Sequence, residues 1–247
     1  FSLPPEQGHR LALALLRIRP LWRLLSPAFR TNDPRLACNV AGIALPNPVG
    51  LAAGYDKECE TLESLGKLGF GYLVGGTVMP EPRSGNPRPR LLRQRKKEAL
   101  VNAMGFPSHG LEAVVPRLKS LGDSPVPLVV SIAALEINGF VRCHRETEPL
   151  VEAVEVNISS PNTVGLRIFQ EPDTLRALLG RLNARRQKPL FVKIPPYFDE
   201  ESREMIFALL RVVVEEGAEG VTAANTWPVK EPRLKVGAGG LSGRPLF

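Results

Sequence analysis

From residue 47 onward, short runs of apolar residues alternate with longer stretches in which apolar residues recur at helical spacing. Such alternation predicts repeated βαβ units, and therefore an α/β protein built on a parallel sheet. Six apolar runs predict strands: Pro48–Ala52, Tyr72–Gly75, Leu128–Ile132, Val154–Ile158, Leu190–Ile194 and Gly220–Ala224. Four periodic stretches predict helices: Glu58–Leu68, His109–Leu121, Asp173–Arg186 and Glu200–Glu216. Because both faces of the pleat are apolar in these runs, we expect helices to cover the sheet.

Residues 1–36 have a different pattern and predict an N-terminal helical extension. Apolar residues at helical spacing predict one helix over Glu6–Ile18, and Leu21–Leu25 predicts a second, shorter helix after Pro20. The segment carries six arginines against two acidic residues. An arginine-rich amphipathic pair is typical of a segment that lies on an anionic membrane surface. From composition alone, a pair of helices packed on its own domain explains the pattern equally well.

The excess of basic residues raises the question of nucleic-acid binding. Lys and Arg number 32 against 25 Asp and Glu, a net charge of +7. Seven basic residues lie in the segment 79–108, which is also rich in Pro and Gly and predicts an excursion from the sheet rather than a crossover helix. No aromatic residues are interleaved with these basic residues as stacking platforms, so nucleic-acid binding is disfavoured.

Simple counts exclude other classes of protein. The three cysteines, Cys38, Cys59 and Cys143, have no paired spacing, so the sequence supports neither a disulfide framework nor a structural zinc site, and we expect no metal. No apolar stretch approaches the roughly 20 residues that span a bilayer.

The number of predicted strands does not match a closed barrel. A (β/α)₈ barrel contains eight strands in about 250 residues, whereas the pattern predicts six before Phe247. Either the sheet is open, or about a quarter of a barrel lies beyond this residue; we favour the second interpretation. The first and sixth strands are then expected to be unpaired edges.

Polar residues collect where the predicted strands end, which is where parallel α/β sheets carry their functional groups. The small residues Ala53 and Gly54, followed by Lys57, allow a flat ligand to approach the backbone next to a cation. The fifth strand contains Lys193, a charge in an apolar run that needs a negative partner. Hydroxyl and amide groups follow two further strands: Thr77, Asn225 and Thr226.

The strongest signal follows the fourth predicted strand, over Val156–Arg167. Asn157 and Asn162 each offer a paired donor and acceptor that suit an amide or imide edge of a planar ligand. Ser160 is a candidate proton acceptor, although a serine needs an orienting hydrogen bond for this role and no histidine follows at a useful spacing. Turns also favour Asn and Ser, but they do not require this combination.

Several ordered motifs match one enzyme family from Asn47 to Leu246. They are Asn47–Gly50 with Ala52–Lys57, Gly85–Arg90, Gly105-Phe106 with Ser108–Gly110, Asn157–Arg167, Val192–Ile194 and Gly239–Leu246. On these motifs the chain resembles the dihydroorotate dehydrogenases, most closely their quinone-dependent class 2.

The resemblance implies a (β/α)₈ barrel of the FMN-linked type, of which this chain carries about six strands, and oxidation of dihydroorotate to orotate in pyrimidine biosynthesis. It implies that Ser160, oriented by Thr163, takes the C5 proton, that FMN accepts the C6 hydride and that a quinone is the final electron acceptor. The implied substrate-binding residues are Lys57, Asn102, Met104, Gly105, Phe106, Asn157, Asn162, Asn225 and Thr226. The implied FMN contacts are Ala53, Gly54, Thr77, Ser131, Asn157, Lys193, Ser242 and Gly243.

The resemblance also assigns the parts of the chain. Residues 1–36 are expected to lie on a membrane and form the quinone entry tunnel, and residues 37–247 to form the FMN-binding barrel without its last two βα units. We therefore expect a monomer on the cytoplasmic side of the inner membrane, with dihydroorotate, orotate and a membrane quinone as partners. The loops that hold the FMN phosphate follow strands 7 and 8 in such barrels, so we expect these residues alone to bind FMN weakly.

Some positions depart from the family pattern. Ser131–Glu136 stands where the family has an asparagine-containing run followed by Gly-Lys-Asn-Lys; Met104 replaces a frequent Tyr, Pro107 a frequent Asn and Ala224 a usual Thr. Each lost hydrogen bond to a buried ligand costs on the order of 1 kcal/mol. These differences leave two alternatives open: a related FMN barrel that acts on another dihydropyrimidine, and a non-catalytic, membrane-docked barrel that has lost FMN.

Overall fold

The computed structural model describes residues 3–31, 33–121, 124–160, 163 and 165–246. Its helices are α1 (Pro5–Leu16), α2 (Arg19–Phe29), α3 (Leu62–Leu65), α4 (Leu111–Leu121), α5 (Ile137–Thr147), α6 (Pro172–Asn183) and α7 (Glu200–Glu215). Its strands are β1 (Cys38–Val40), β2 (Ile43–Leu45), β3 (Gly50–Leu51), β4 (Tyr72–Val78), β5 (Leu91–Gln94), β6 (Ala99–Asn102), β7 (Leu128–Ile132), β8 (Ala153–Asn157), β9 (Leu190–Ile194), β10 (Gly220–Ala223), β11 (Trp227–Lys230) and β12 (Ala238–Gly243). Short 3₁₀ turns lie at Pro34–Leu36, Arg95–Lys97, Glu148–Leu150, Leu166–Gln170 and Arg244–Leu246.

A curled, six-stranded parallel sheet forms the centre of the molecule, in the order β10-β9-β8-β7-β4-β3. The six predicted strands are confirmed, and β3 and β10 are the two edges of this sheet, as expected. β3 is shorter than predicted, and β4 continues past Gly75 to Val78, with an irregular register against β7 between Gly76 and Val78. The fold is an α/β half-barrel, consistent with part of a (β/α)₈ barrel.

The two faces of this sheet pack differently. One face packs on the helices; Val154 and Val156 of β8 belong to that large core, together with Phe140 and Leu178. The opposite, inner face carries a smaller apolar cluster of Val74, Val129 and Ala153, with Phe191 and Ala53 packed against it. Side chains alternate along a strand, so Glu155 and Asn157 lie on the inner face with Ala153.

Helix predictions were right for α4, α6 and α7 to within a few residues, and needed two corrections. Glu58–Leu68 was predicted as one helix, but only α3 forms, because the Asp56 carboxylate accepts the backbone N–H groups of Glu60 and Thr61 and holds this segment in turns. α5 was not predicted. Its buried side includes Cys143, His144 and Thr147, which are weakly apolar or polar. Apolar residues therefore do not recur at helical spacing clearly enough to predict this helix.

The excursion over 79–108 is confirmed as non-helical, but it contributes to a second sheet that the pattern did not predict. β5 and β6 join β12 and β11 in an antiparallel sheet of order β11-β12-β6-β5. In this sheet Asn102 lies opposite Gly240. A separate small core of Val101, Ala103 and Leu234 holds the sheet together. Since its two halves are more than a hundred residues apart in sequence, local patterns do not reveal their pairing.

The N-terminal extension forms the two expected helices and packs on the rest of the chain. Leu16 belongs to the main core, and Leu13 and Trp22 pack against it. Arg17 forms an ion pair with Glu60, and Arg19 and Arg23 with Glu63. The exposed side of the pair remains apolar at Leu11, Leu15, Ile18, Leu21, Leu24, Leu25 and Phe29. Among the described residues, no helix has both the length and the apolar character needed to cross a membrane.

Candidate active site

The carboxyl ends of three neighbouring strands are joined by hydrogen bonds between side chains. Asn157, the last residue of β8, donates from Nδ2 to Thr77 Oγ1 of β4 at 3.1 Å. The Thr77 hydroxyl also contacts the Ser131 hydroxyl of β7 at 2.9 Å. All three residues are buried. Ser131, which lacks the amide that the family pattern has near this position, therefore uses its hydroxyl to hold Thr77.

The same network continues to the segment after β10 through Ser159. The Ser159 hydroxyl donates to Asn157 Oδ1 at 2.7 Å and accepts from Asn225 Nδ2 at 2.9 Å. Asn225 Oδ1 in turn accepts the backbone N–H of Thr226 at 2.7 Å. Ser159 is a site residue that the sequence did not single out, because a serine in a turn-rich motif carries no signal of its own.

These contacts change the expected role of the amides. Asn157 Oδ1 also accepts the backbone N–H of Ser159, so both its oxygen and one amide hydrogen are used inside the protein. Asn225 donates from Nδ2 to Ser159, but its Oδ1 accepts only the backbone N–H of Thr226 and keeps one lone pair outside these bonds. An amide nitrogen has two hydrogens, so each side chain keeps one N–H outside these bonds. Asn157 therefore offers a ligand a donor only, whereas Asn225 still offers a paired donor and acceptor.

The antiparallel sheet closes one side of this network. Asn102 donates from Nδ2 to Gly240 O at 3.3 Å, and Thr226 lies against the same glycine. A Cβ atom on Gly240 would lie 1.8 Å from Thr226 Oγ1, so only glycine fits there. Ser242 and Gly243, the implied FMN contacts, are farther along β12, opposite Leu100 and Ala99.

Lys193 lies on the inner face of β9, between two strands that carry polar groups. It is in register with Asn157 of β8 on one side and with Thr222 of β10 on the other. Its side chain is 9% exposed and forms no hydrogen bond or ion pair within the part of the chain that the structure describes. A buried ammonium group without a bonded partner is costly, so this position suits a ligand with negative charge.

Lys57 lies at the opposite end of the network. Its ammonium group donates to the carbonyl of Gly54, whose own N–H donates to Gly76 O beside Thr77. Burial and the positive charge of Arg90 lower the pKa of Lys57 below its ordinary value. Gly54 has a φ of +106°, and a Cβ at this position would face open space. The loop therefore leaves room for a flat group next to a cation.

Helix α1 brings acidic and imidazole groups to this end of the site. Glu6 pairs with Arg90 at 2.7 Å and with Arg88 at 2.6 Å. Burial alone would raise the pKa of Glu6, but these arginines outweigh it and lower the pKa. His9 Nε2 contacts the carbonyl of Tyr55 at 2.7 Å, two residues before Lys57.

Ser160 directly follows the network residue Ser159, and its hydroxyl contacts that of Thr163. Their hydroxyl oxygens are 3.3 Å apart, either can be the donor, and both residues are buried. Asn162, the other amide of this motif, lies outside the described residues.

The remaining implied substrate contacts are Met104, Gly105 and Phe106, which follow β6. The carbonyl of Met104 accepts the backbone N–H of Asn86 at 2.9 Å, and Phe106 packs against the main core. The structure places this short segment just after Asn102, but the contacts named above are with Asn86 and the main core rather than with the network. No group of three or more His, Cys, Asp or Glu side chains in the described ranges is arranged to hold a metal ion.

Comparison with known proteins agrees with this geometry. The family model described as dihydroorotate dehydrogenase matches residues 35–247. A protein named dihydroorotate dehydrogenase (quinone) from Chloroflexus aurantiacus is 40% identical over 269 residues, which cover 98% of this chain and 73% of that protein. Proteins of the same name from Thermus thermophilus and Mycobacterium tuberculosis are each 38% identical, cover 100% of this chain and are covered to 75% and 72%.

Solved structures give the same result. Dihydroorotate dehydrogenase from Eimeria tenella in complex with ferulenol has a TM-score of 0.79 and 28% identity, covering 98% of this chain and 73% of that chain. The ligand-free enzyme has a TM-score of 0.80 and 29% identity, with coverages of 98% and 76%. The family match, the extent of sequence identity and the shared fold show that this chain belongs to the dihydroorotate dehydrogenase family.

Proposed function

We propose that this chain binds FMN at the carboxyl ends of its parallel strands and oxidises dihydroorotate to orotate, with a quinone as the final electron acceptor. The observation that carries the proposal is the hydrogen-bonded network from Thr77 to Asn225, with Lys193 in register beside Asn157. The family implies a flavin cofactor, and the related proteins named above are quinone enzymes.

The residues present fit a flavin ring. Lys193 offers a buried cation that lacks a bonded partner among the described residues, and Gly54 leaves open space beside the backbone. The Thr77 hydroxyl, at the end of β4, offers a polar contact. Bound FMN supplies the acceptor for the hydride. Lys193 would stabilise the negative charge that this acceptor gains, and its effect would be strong because the residue is largely shielded from solvent.

The dihydroorotate carboxylate is proposed to pair with the ammonium group of Lys57. The N–H groups that Asn157 and Asn225 keep outside the internal network then donate to oxygens of the ring. Because the network fixes these amides before a ligand arrives, little ordering is needed on binding.

Ser160 is proposed to accept the C5 proton. Its hydroxyl can take this proton only while giving up its own. Thr163, 3.3 Å away, either orients the serine hydroxyl or accepts its proton while passing its own O–H proton on to solvent.

The helical extension is proposed to lie on a membrane and to admit the quinone. Its exposed side is apolar, and Arg10 and Arg30 are exposed as well, which suits an anionic lipid surface. The ion pairs of Arg17, Arg19 and Arg23 with the rest of the chain orient that side away from the protein.

A quinone-coupled assay tests the proposal. FMN, dihydroorotate and a short-chain quinone are added to the purified protein, and orotate formation is followed by its absorbance. We expect continued orotate formation, beyond one equivalent per bound FMN, only when all three are present. In a parallel assay, dihydrouracil, which lacks the carboxylate, replaces dihydroorotate as a comparison substrate. Oxidation of dihydrouracil in preference to dihydroorotate favours a related dihydropyrimidine enzyme, and failure to bind FMN at any concentration contradicts the proposal.

A further inference from the structure

Glu155 is a buried carboxylate that none of the roles above uses. It lies in β8 on the inner face of the sheet, two residues before Asn157, and is 3% exposed. Its Oε2 accepts a hydrogen bond from the Thr222 hydroxyl at 2.7 Å. Its Oε1 has no hydrogen-bond partner among the described residues. Leaving a carboxylate oxygen buried and unpaired is unfavourable, so a nearby positive charge is expected.

The hydrogen bond to Thr222 fixes where this carboxylate lies. Glu155 belongs to β8 and Thr222 to β10, and both strands pair with β9, which lies between them. The bond therefore crosses β9 on its inner face. Glu155 is in register with Phe191 and Thr222 with Lys193, so the crossing point lies between these two residues of β9. The carboxylate must come close to the base of the Lys193 side chain.

The charges of the sheet support this pairing. All residues of the six parallel strands are described, and only Glu155 and Lys193 among them carry a charge. The two have opposite sign, lie on adjacent strands and share the inner face. They make no direct ion pair, so their interaction is a through-space one across a medium of low dielectric constant.

We propose that Glu155 is the counter-charge of Lys193. The carboxylate balances the buried ammonium group while the ligand site is empty, and it limits how strongly the ammonium group favours a negatively charged ring. This second effect rests on the proposed FMN site; the first depends only on the fold.

A double-mutant unfolding cycle, in which the urea midpoints of the single and double variants are compared, tests the pairing on the ligand-free protein. Glu155→Gln and Lys193→Gln are each expected to lower the urea midpoint, because each leaves a buried charge without its counterpart. The double variant is expected to have a higher midpoint than either single variant. Glu152→Gln is the matched control, since this exposed carboxylate precedes β8 and accepts the Leu128 backbone N–H. When Glu152→Gln is combined with Lys193→Gln, the two decreases in urea midpoint should simply add, with no regain of stability in the double variant. The proposal is overturned if the double variant, Glu155→Gln combined with Lys193→Gln, is no more stable than either single variant.

A flavin titration tests the consequence. Kd values for oxidised and reduced FMN are measured under anaerobic conditions, up to millimolar FMN. Glu155→Gln should raise the ratio of the oxidised to the reduced Kd by roughly tenfold, since the ammonium group then acts without its counter-charge. Glu155→Asp retains the charge and should retain the ratio. A purely structural role for Glu155 weakens both forms equally.

The outcomes separate the two proposals. If the parent protein binds both forms and Glu155→Gln leaves the ratio unchanged, the electrostatic role is wrong while the proposed function stands. If the parent binds neither form, the proposed function fails, and the unfolding cycle still decides whether Glu155 and Lys193 are a pair.

Discussion

Asn157 connects more of the candidate site than any other side chain described above. It contacts Thr77 on one side and Ser159 on the other, and through them Ser131 and Asn225. Its position at the end of a central strand explains this reach, because neighbouring strands end on both sides of it. The loss of this one amide should therefore disturb groups on four separate segments.

Asn157→Ala is expected to lower the free energy of unfolding by about 1–3 kcal/mol, since it leaves buried hydroxyl and amide groups without partners. Urea unfolding of the ligand-free protein measures this effect. Asn138→Ala, at an exposed position of α5, is the control and should change stability little. Equal stability of the two variants would show that the network contributes nothing to the fold.

Thr163→Val removes a hydroxyl at nearly constant shape and tests whether Thr163 orients Ser160. Dihydroorotate should still bind, but the flavin should be reduced roughly tenfold to a hundredfold more slowly. The reason is that the Ser160 hydroxyl then lacks the Thr163 hydroxyl that orients it for proton transfer. Rapid-mixing absorbance measures the rate. Thr174→Val, outside the network, is the control, and an unchanged rate in Thr163→Val rejects the assignment.

The residue types at the strand ends were sufficient to predict Lys57, Thr77, Asn157, Lys193 and Asn225 as one group, because parallel strands end at a common edge. Which of these residues bond to each other was not predictable. Ser159 and Glu155 are hydrogen-bonded to Asn225 and Thr222, which are distant in sequence, and only the strand order and register bring these residues together.

At the scale of elements, α1 contributes charge to the site as well as a surface. Glu6 balances Arg90, and Arg90 is one of the groups that lower the pKa of Lys57. The helix therefore influences a residue that lies far from it in sequence.

Glu6→Gln should make orotate binding more sensitive to alkaline pH. Without the Glu6 charge, Arg90 acts unopposed and the pKa of Lys57 falls further, so Lys57 loses its positive charge at a lower pH as the pH rises. The Kd of orotate for the FMN-saturated protein, measured across a range of alkaline pH, should increase earlier than in the parent. Arg17→Gln also removes an ion pair of α1 but leaves Arg90 unchanged; if it has the same effect, loosening of the helix rather than charge is responsible.

The exposed side of α1 and α2 gives a second prediction at this scale. Leu24 is 78% exposed in α2, and Val214 is 76% exposed in α7. If the extension binds lipid, Leu24→Asp should reduce co-sedimentation with anionic vesicles several-fold, since it places a charge against the lipid. Val214→Asp should have no such effect. Equal binding of both variants contradicts membrane docking through this pair.

The elements missed from the sequence have identifiable physical reasons. α5 buries Cys143, His144 and Thr147, so its inward side does not look apolar. The antiparallel sheet pairs β6 with β12, which lie far apart in the chain, and its strands are short and flanked by Pro and Gly. The parallel strands were predictable because burial on both faces makes them continuously apolar.

At the scale of the whole molecule, the half-barrel and its polar edge act together. The inner face carries two opposite charges and the strand ends carry the hydrogen-bonded amides, while the helices bury the other face. Such a division leaves one edge of the sheet for chemistry, as in other parallel α/β proteins.

Anaerobic addition of dihydroorotate to the FMN-saturated protein tests the central claim most directly. The parent should lose its visible flavin absorbance while forming orotate in equal amount. Ser160→Ala should bind dihydroorotate but bleach the flavin roughly 10²–10⁴-fold more slowly. A parent protein whose flavin remains oxidised in the presence of saturating dihydroorotate would contradict the account.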